Sequence, residues 1–183
     1  MPVIEQITLG VWVLLELTLR VREHRAGRGG IALDRWTRGL IALSLAGGFS
    51  IAALLTHPGA RLFPGGRACG IALMWAGIGL RMWAILALGD SFRTSVEVHE
   101  GQQVIERGPY RWLRHPSYTG ILLIAIGIGV ADGTWPSVAV AFVLPLAALI
   151  HRISVEEHVL LDSLGQPYAD YKSRTKRLIP RVW

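Results

Sequence analysis

Cysteine is almost absent from this 183-residue chain: Cys69 stands alone. That excludes an internal disulfide and any Cys-based metal cluster, and leaves Cys69 the role of a small apolar residue in a helix. Charge is sparse too. Asp, Glu, Lys and Arg make up 17 % of the residues against 51 % hydrophobic, with a mean hydropathy of +0.40, too apolar for an ordinary soluble domain. The signatures of soluble cofactor enzymes are missing: no Gly-x-Gly-x-x-Gly follows a strand, no phosphate-cradling loop carries a Lys, and no Ser/His/Asp set fits an elbow. Of the six histidines, His24, His57, His99, His151 and His158 show no ligand spacing, so no metal site is expected. No nucleic-acid module is recognisable either. The net charge of +6 falls between apolar blocks and at the tail, as loops facing anionic headgroups would place it.

What the chain does have is apolar blocks. They cover 3–19, 36–56, 68–88, 117–131 and 135–153, several of them near the roughly 20 residues a bilayer requires. The pattern predicts an all-α integral membrane protein with about five transmembrane helices, the last two a tight hairpin around Ala131-Asp132-Gly133-Thr134. The first block lacks a basic leader and a small-residue cleavage site, so a retained helix is expected; Pro180-Arg181-Val182-Trp183 is not a prenylation motif. Glu16 and Arg20 stand four apart and are expected to pair, and 20–38 reads as a flexible basic loop. Residues 90–107 read as two extended pieces about a turn at Glu100-Gly101-Gln102. Arg81 lies inside the third block; snorkelling to the interface and facing a polar cavity stand even for it.

Lys and Arg number six in 20–38, two in 57–67, four in 90–116, none in 131–134 and six in 151–183. Alternating the loops across the membrane collects sixteen on one face and two on the other. The positive-inside rule then places the N-terminus outside, and residues 108–120 and the tail in the cytoplasm. High Ala, Gly and Arg usage points to a bacterial plasma membrane. By length this is one domain, but its polar clusters lie after Asp90. The chain therefore divides by role into three spans over 1–89 and a binding and catalytic part over 90–183, with the first two spans adding little to a pocket.

Two constellations carry chemistry. Gly108-Pro109-Tyr110-Arg111-Trp112-Leu113-Arg114-His115-Pro116-Ser117-Tyr118-Thr119-Gly120 packs cations, a histidine and tyrosines against an apolar run. Such density at a membrane edge is costly unless something binds there. Pro116 suits the first turn of a helix starting near Ser117, which leaves His115 at a helix N-terminus beside N–H groups able to meet an anion. The second constellation is Arg152 with Glu156, one helical turn apart, followed by Glu157. As a surface ion pair it is worth well under about 1 kcal/mol; at a membrane edge its charges need partners. Gly165 breaks the helix, and Tyr168 and Tyr171 share a face of the next one.

Together these constellations resemble the isoprenylcysteine carboxyl methyltransferase family, small integral membrane enzymes that use S-adenosyl-L-methionine. The resemblance runs from about residue 90 to the end, on Gly108-Pro109-Tyr110, Arg114 to Gly120, Arg152, Glu156-Glu157, Leu160, Gly165, Tyr168, Tyr171 and Arg174. It implies a cofactor pocket closed by cytoplasmic C-terminal helices. It implies cofactor contacts at Gln102, Gln103, Val104, Ile105, Tyr110, His115, Pro116, Ser117, Tyr118, Glu156 and Glu157, with catalytic roles for Arg152 and Glu156. Arg152 would also hold the carboxylate of a lipophilic, isoprenylcysteine-like acid. Phospholipid N-methyltransferases and some membrane sterol or ketone reductases look similar over the same region. Methylation of a lipid amine, nicotinamide-dependent reduction and a non-catalytic lipid-binding role are therefore the alternatives. The partners expected are a lipophilic small molecule or lipid and the bilayer itself, with no nucleic acid.

Overall fold

In hydrocarbon a backbone must satisfy its own hydrogen bonds, so each apolar block becomes a helix. A computed structural model describes residues 3–25, 36–57, 59–89, 104–180 and 182. Its helices are α1 Val3–Arg25, α2 Trp36–Leu54, α3 Gly66–Leu88, α4 Pro116–Asp132, α5 Trp135–Leu164 and α6 Gln166–Arg174, with a short turn of tighter helix at Gly108–Arg111. The only bridge outside helices among the described residues is a parallel one between Leu113 and Lys176. α2, α3 and α5 are long and apolar enough to cross a membrane. α4 is apolar but only 17 residues long, and α1 has 23 residues with Glu5, Glu16 and Arg20 among them.

Two boundaries differ from expectation. α1 continues to Arg25, so the basic stretch expected as loop from residue 20 begins as helix. The apolar block 135–153 and the helix expected to break at Gly165 are one unbroken helix, α5, which runs to Leu164. Hydropathy falls at Arg152, yet a helix needs only its own backbone bonds, and Arg152 and Glu157 are buried against protein rather than lipid. The expected turn at Glu100-Gly101-Gln102 lies outside the described residues.

The closest helix contact joins α3 to α4. A Cβ on Gly70 would sit 2.5 Å from the Gly127 carbonyl oxygen, and one on Gly77 2.5 Å from that of Gly120. Both pairs repeat at seven residues, hence on one face of each helix, and only hydrogen at these positions lets the backbones meet. This contact crosses the boundary between 1–89 and 90–183. The α4–α5 hairpin turns at Gly133, whose φ of 86° suits glycine, and Thr134 caps α5 by accepting from the Ser137 N–H at 3.2 Å. α2 packs on α5, with the Ser137 hydroxyl donating to the Ala52 carbonyl at 2.9 Å. The core falls in two clusters, one of Trp12, Met74, Ile78, Ile124 and Ile128, the other of Ile121, Leu122, Leu149, Ile153 and Leu178. Leu178 belongs to the tail, so the tail is part of the fold. Leu14, Leu43, Leu54 and Leu86 are exposed, as a lipid-facing surface requires.

Candidate active site

Pro116 opens α4 and His115 is its N-cap, as the proline chemistry of that stretch predicts. The tail then lies alongside it. The Arg114 N–H donates to the Lys176 carbonyl at 2.7 Å and the His115 N–H to that of Arg177 at 3.0 Å. The Thr119 hydroxyl donates to the Leu178 carbonyl at 2.8 Å, and the Tyr171 hydroxyl to the Tyr110 carbonyl at 2.7 Å. The His115 amide is thus taken up by the tail.

Glu157 ties this seam together. It is 3 % exposed and pairs with Arg114 at 2.8 Å, Arg177 at 3.0 Å and Lys172 at 3.6 Å, with His115 Nε2 at 3.3 Å. It does not line the cavity beside it, which corrects its expected place among the cofactor contacts. Neighbouring helical residues point about 100° apart, so Glu156 faces the cavity while Glu157 faces the motif and tail.

That cavity has a volume of about 490 Å³ and draws on all six helices, a size suited to a small ligand. Of the residues named from sequence, Val104, Ile105, Tyr110, His115, Ser117, Tyr118, Arg152 and Glu156 line it. Pro116 does not; it is fully buried, as a first-turn proline. Gln102 and Gln103 lie outside the described residues. Arg152 is 2 % exposed, donating from Nη1 to the Thr37 hydroxyl at 2.7 Å and from Nε to the Tyr118 hydroxyl at 3.3 Å. The Tyr118 hydroxyl in turn donates to Glu156 Oε2 at 2.7 Å, while Arg152 Nε stays 4.0 Å from that oxygen. The two charges are therefore bridged by a phenol, not closed on each other. His115 stacks on Tyr118, with ring centroids 5.5 Å apart.

Arg81 resolves the even question. It is buried and lines the cavity, giving Nε and Nη2 to the two carboxylate oxygens of Glu16 and Nη1 to the Ser117 hydroxyl. Glu16 is thus the partner of Arg81, where Arg20 was expected. α1 and α2 also supply much of the apolar wall, including Leu9, Trp12, Leu45 and Phe49. The first two helices therefore contribute far more than expected, because an acid in α1 answers the buried cation of α3.

Across from this wall stand four phenols. Burial pushes Tyr110 well above its ordinary value, with the nearby Glu156 carboxylate adding to it. Burial does the same to Tyr168 and Tyr171, so all three stay protonated donors at neutral pH. The Tyr168 hydroxyl is buried with no hydrogen-bond partner among the described residues, an orphan that a ligand in the cavity would satisfy. Arg114, Arg177, Glu16 and Thr37 were not singled out from sequence as site residues. Glu16 carried a usable signal, a charge within an apolar helix, and Arg114 stood in the central motif; Arg177 and Thr37 carried none.

The family model described as the isoprenylcysteine carboxyl methyltransferase (ICMT) family aligns with residues 70–162. The chain belongs to that family. The ICMT match takes in nearly all of α3, the motif, α4 and α5 as far as Asp162, starting earlier than the sequence resemblance and stopping short of α6. Protein-S-isoprenylcysteine O-methyltransferase B of Arabidopsis thaliana is 33 % identical over 116 residues, 62 % of this chain and 58 % of the relative. The protein-S-isoprenylcysteine O-methyltransferase of Tribolium castaneum is 32 % identical over 116 residues, covering 41 % of its length. This ICMT-family chain spans less than two thirds of the length of these relatives. The solved structure of a eukaryotic intramembrane Ras methyltransferase ICMT superposes with a TM-score of 0.57 at 27 % identity, over 83 % of this chain and 55 % of that one.

Proposed function

We propose that the chain is a membrane methyltransferase that esterifies the carboxylate of a lipophilic, isoprenylcysteine-like acid, with S-adenosyl-L-methionine as donor. The observation that carries this reading is the phenol-bridged Arg152–Glu156 pair inside a cavity whose other wall is apolar. The residues present fit the donor. Glu156 offers a carboxylate to its ammonium, Tyr168 a hydroxyl with no partner among the described residues, and the ring faces of Tyr110, Tyr118 and Tyr171 suit a flat base. When bound, the donor supplies a methyl group on a sulfonium. Ser117 and the first turn of α4 face its carboxylate in this reading, and Val104 and Ile105 close the cavity nearby.

Arg152 then holds the acid, bidentate through a guanidinium that Thr37 and Tyr118 keep in place. A carboxylate is already ionised at neutral pH and needs no general base. Rate comes from alignment and from replacing the nucleophile's water by fixed dipoles. An amine acceptor, by contrast, has to lose a proton. Glu157, the base that reaction would use, is occupied by three cationic side chains, which favours the carboxylate.

In this reading α1 and α4 join α2, α3 and α5 as five crossings. The cavity end lies toward the cytoplasm of a bacterial plasma membrane, as the basic loops suggest, with α6 and the tail closing it there. The test is methyl transfer to a prenylcysteine analogue in detergent or liposomes. A product that releases methanol in alkali is the ester; an alkali-stable product would mean N-methylation. S-adenosylhomocysteine should raise the melting temperature and NADPH should not.

A further inference from the structure

The polar side of the cavity contains a second ion pair that the proposed reaction does not use. Glu16 comes from α1, outside the segment the family model matches. Its carboxylate takes Nε and Nη2 of Arg81, and its Oε1 also accepts the indole N–H of Trp12 at 3.1 Å. Arg81 reaches on through Nη1 to the hydroxyl of Ser117, at the start of α4. Three helices thus meet in one chain of hydrogen bonds, from Trp12 to Glu16, Arg81 and Ser117. Glu16, Arg81 and Ser117 all line the cavity.

The direction of these bonds matters. A guanidinium has only donors, so Ser117 accepts from it. With that lone pair engaged, the hydroxyl proton of Ser117 is left to point at an acceptor on the cavity side. Glu16 neutralises the arginine, so Arg81 does not compete with Arg152 for an acidic acceptor. A bidentate carboxylate also fixes the guanidinium plane, and with it the direction in which Ser117 is held.

We propose that Glu16 is a positioning residue for the methyl donor: through Arg81 it aims the Ser117 hydroxyl at the donor's carboxylate, so that α1 sets donor affinity. This rests on the methyltransferase reading above and adds to it the part played by α1. A purely structural Glu16 would only fasten α1 to α3, changing melting temperature without selecting between the two substrates.

The test is calorimetric binding of S-adenosylhomocysteine to the full chain in detergent, with steady-state kinetics alongside. Glu16→Gln should weaken binding roughly ten-fold, the size of one charge-assisted hydrogen bond. KM for the donor should rise while KM for the prenylcysteine analogue holds. Ser117→Ala should act in the same direction, and the Glu16→Gln/Ser117→Ala double variant should lose no more than the weaker single. Glu16→Gln/Arg81→Gln removes both charges, leaves no unpaired guanidinium in the membrane and should show the same donor-selective loss if Glu16→Gln alone folds poorly. Unchanged donor affinity in Glu16→Gln and Ser117→Ala overturns the proposal, as does a loss confined to the acceptor. No binding by the unaltered chain would instead overturn the methyltransferase reading, and the positioning role with it.

Discussion

Arg81 and Arg152 enter one cavity from the two helices that flank α4, and they are built differently. Arg81 is closed: both oxygens of a carboxylate from another helix and a serine hydroxyl occupy its three nitrogens. Arg152 is not closed on its neighbouring acid: it gives to Thr37 and to the Tyr118 hydroxyl, and Glu156, one turn along the same helix, stays 4.0 Å away with that hydroxyl between. A closed pair in low dielectric fastens helices together. A phenol-bridged pair instead leaves the Glu156 carboxylate lining the cavity. The adjacent acids of α5 repeat the contrast, Glu157 enclosed by cations and Glu156 facing the cavity.

The comparison can be broken in four places. The largest effect should come from Glu157→Gln, which leaves Arg114 and Arg177 facing an uncharged amide. Loss of about 3–5 kcal/mol of stability is expected in denaturant unfolding. Retained stability with lost donor binding would move Glu157 back among the cofactor contacts. Next, Arg152→Lys keeps the charge but not the two-pronged grip, so single-turnover methyl transfer should slow on the order of 100-fold with unchanged affinity for S-adenosylhomocysteine. Equal loss of both quantities would remove Arg152 from the carboxylate. Glu156→Gln should weaken that affinity by about 1.5–3 kcal/mol, and an unaltered calorimetric constant would make Glu156 merely a neighbour of Tyr118. The smallest effect belongs to Tyr168→Phe. About 1 kcal/mol of ligand affinity should go, with the unliganded melting temperature held, because the hydroxyl has no hydrogen-bond partner to lose among the described residues.

Sequence reading was most secure where the physics is local. Pro116 could only open a helix, Gly165 with φ of 61° could only end one, and apolar blocks of bilayer length could only be helices. Nothing local records that Gly70 and Gly77 meet Gly127 and Gly120. Reading failed where hydropathy stood in for structure. The basic stretch from residue 20 looked like loop, but α1 continues through it to Arg25.

The sequence alone therefore determined a helical membrane chain and its two polar constellations, because spacing, capping and hydropathy act within a few residues; the family came from the resemblance those constellations carry. Which acid serves which cation was decided only by tertiary packing. Glu16 goes to Arg81 across 65 residues and Glu157 to Arg114 across 43, and nothing in local spacing records which helix faces which. In the low dielectric between helices each such charge must find its opposite, and the fold chooses where.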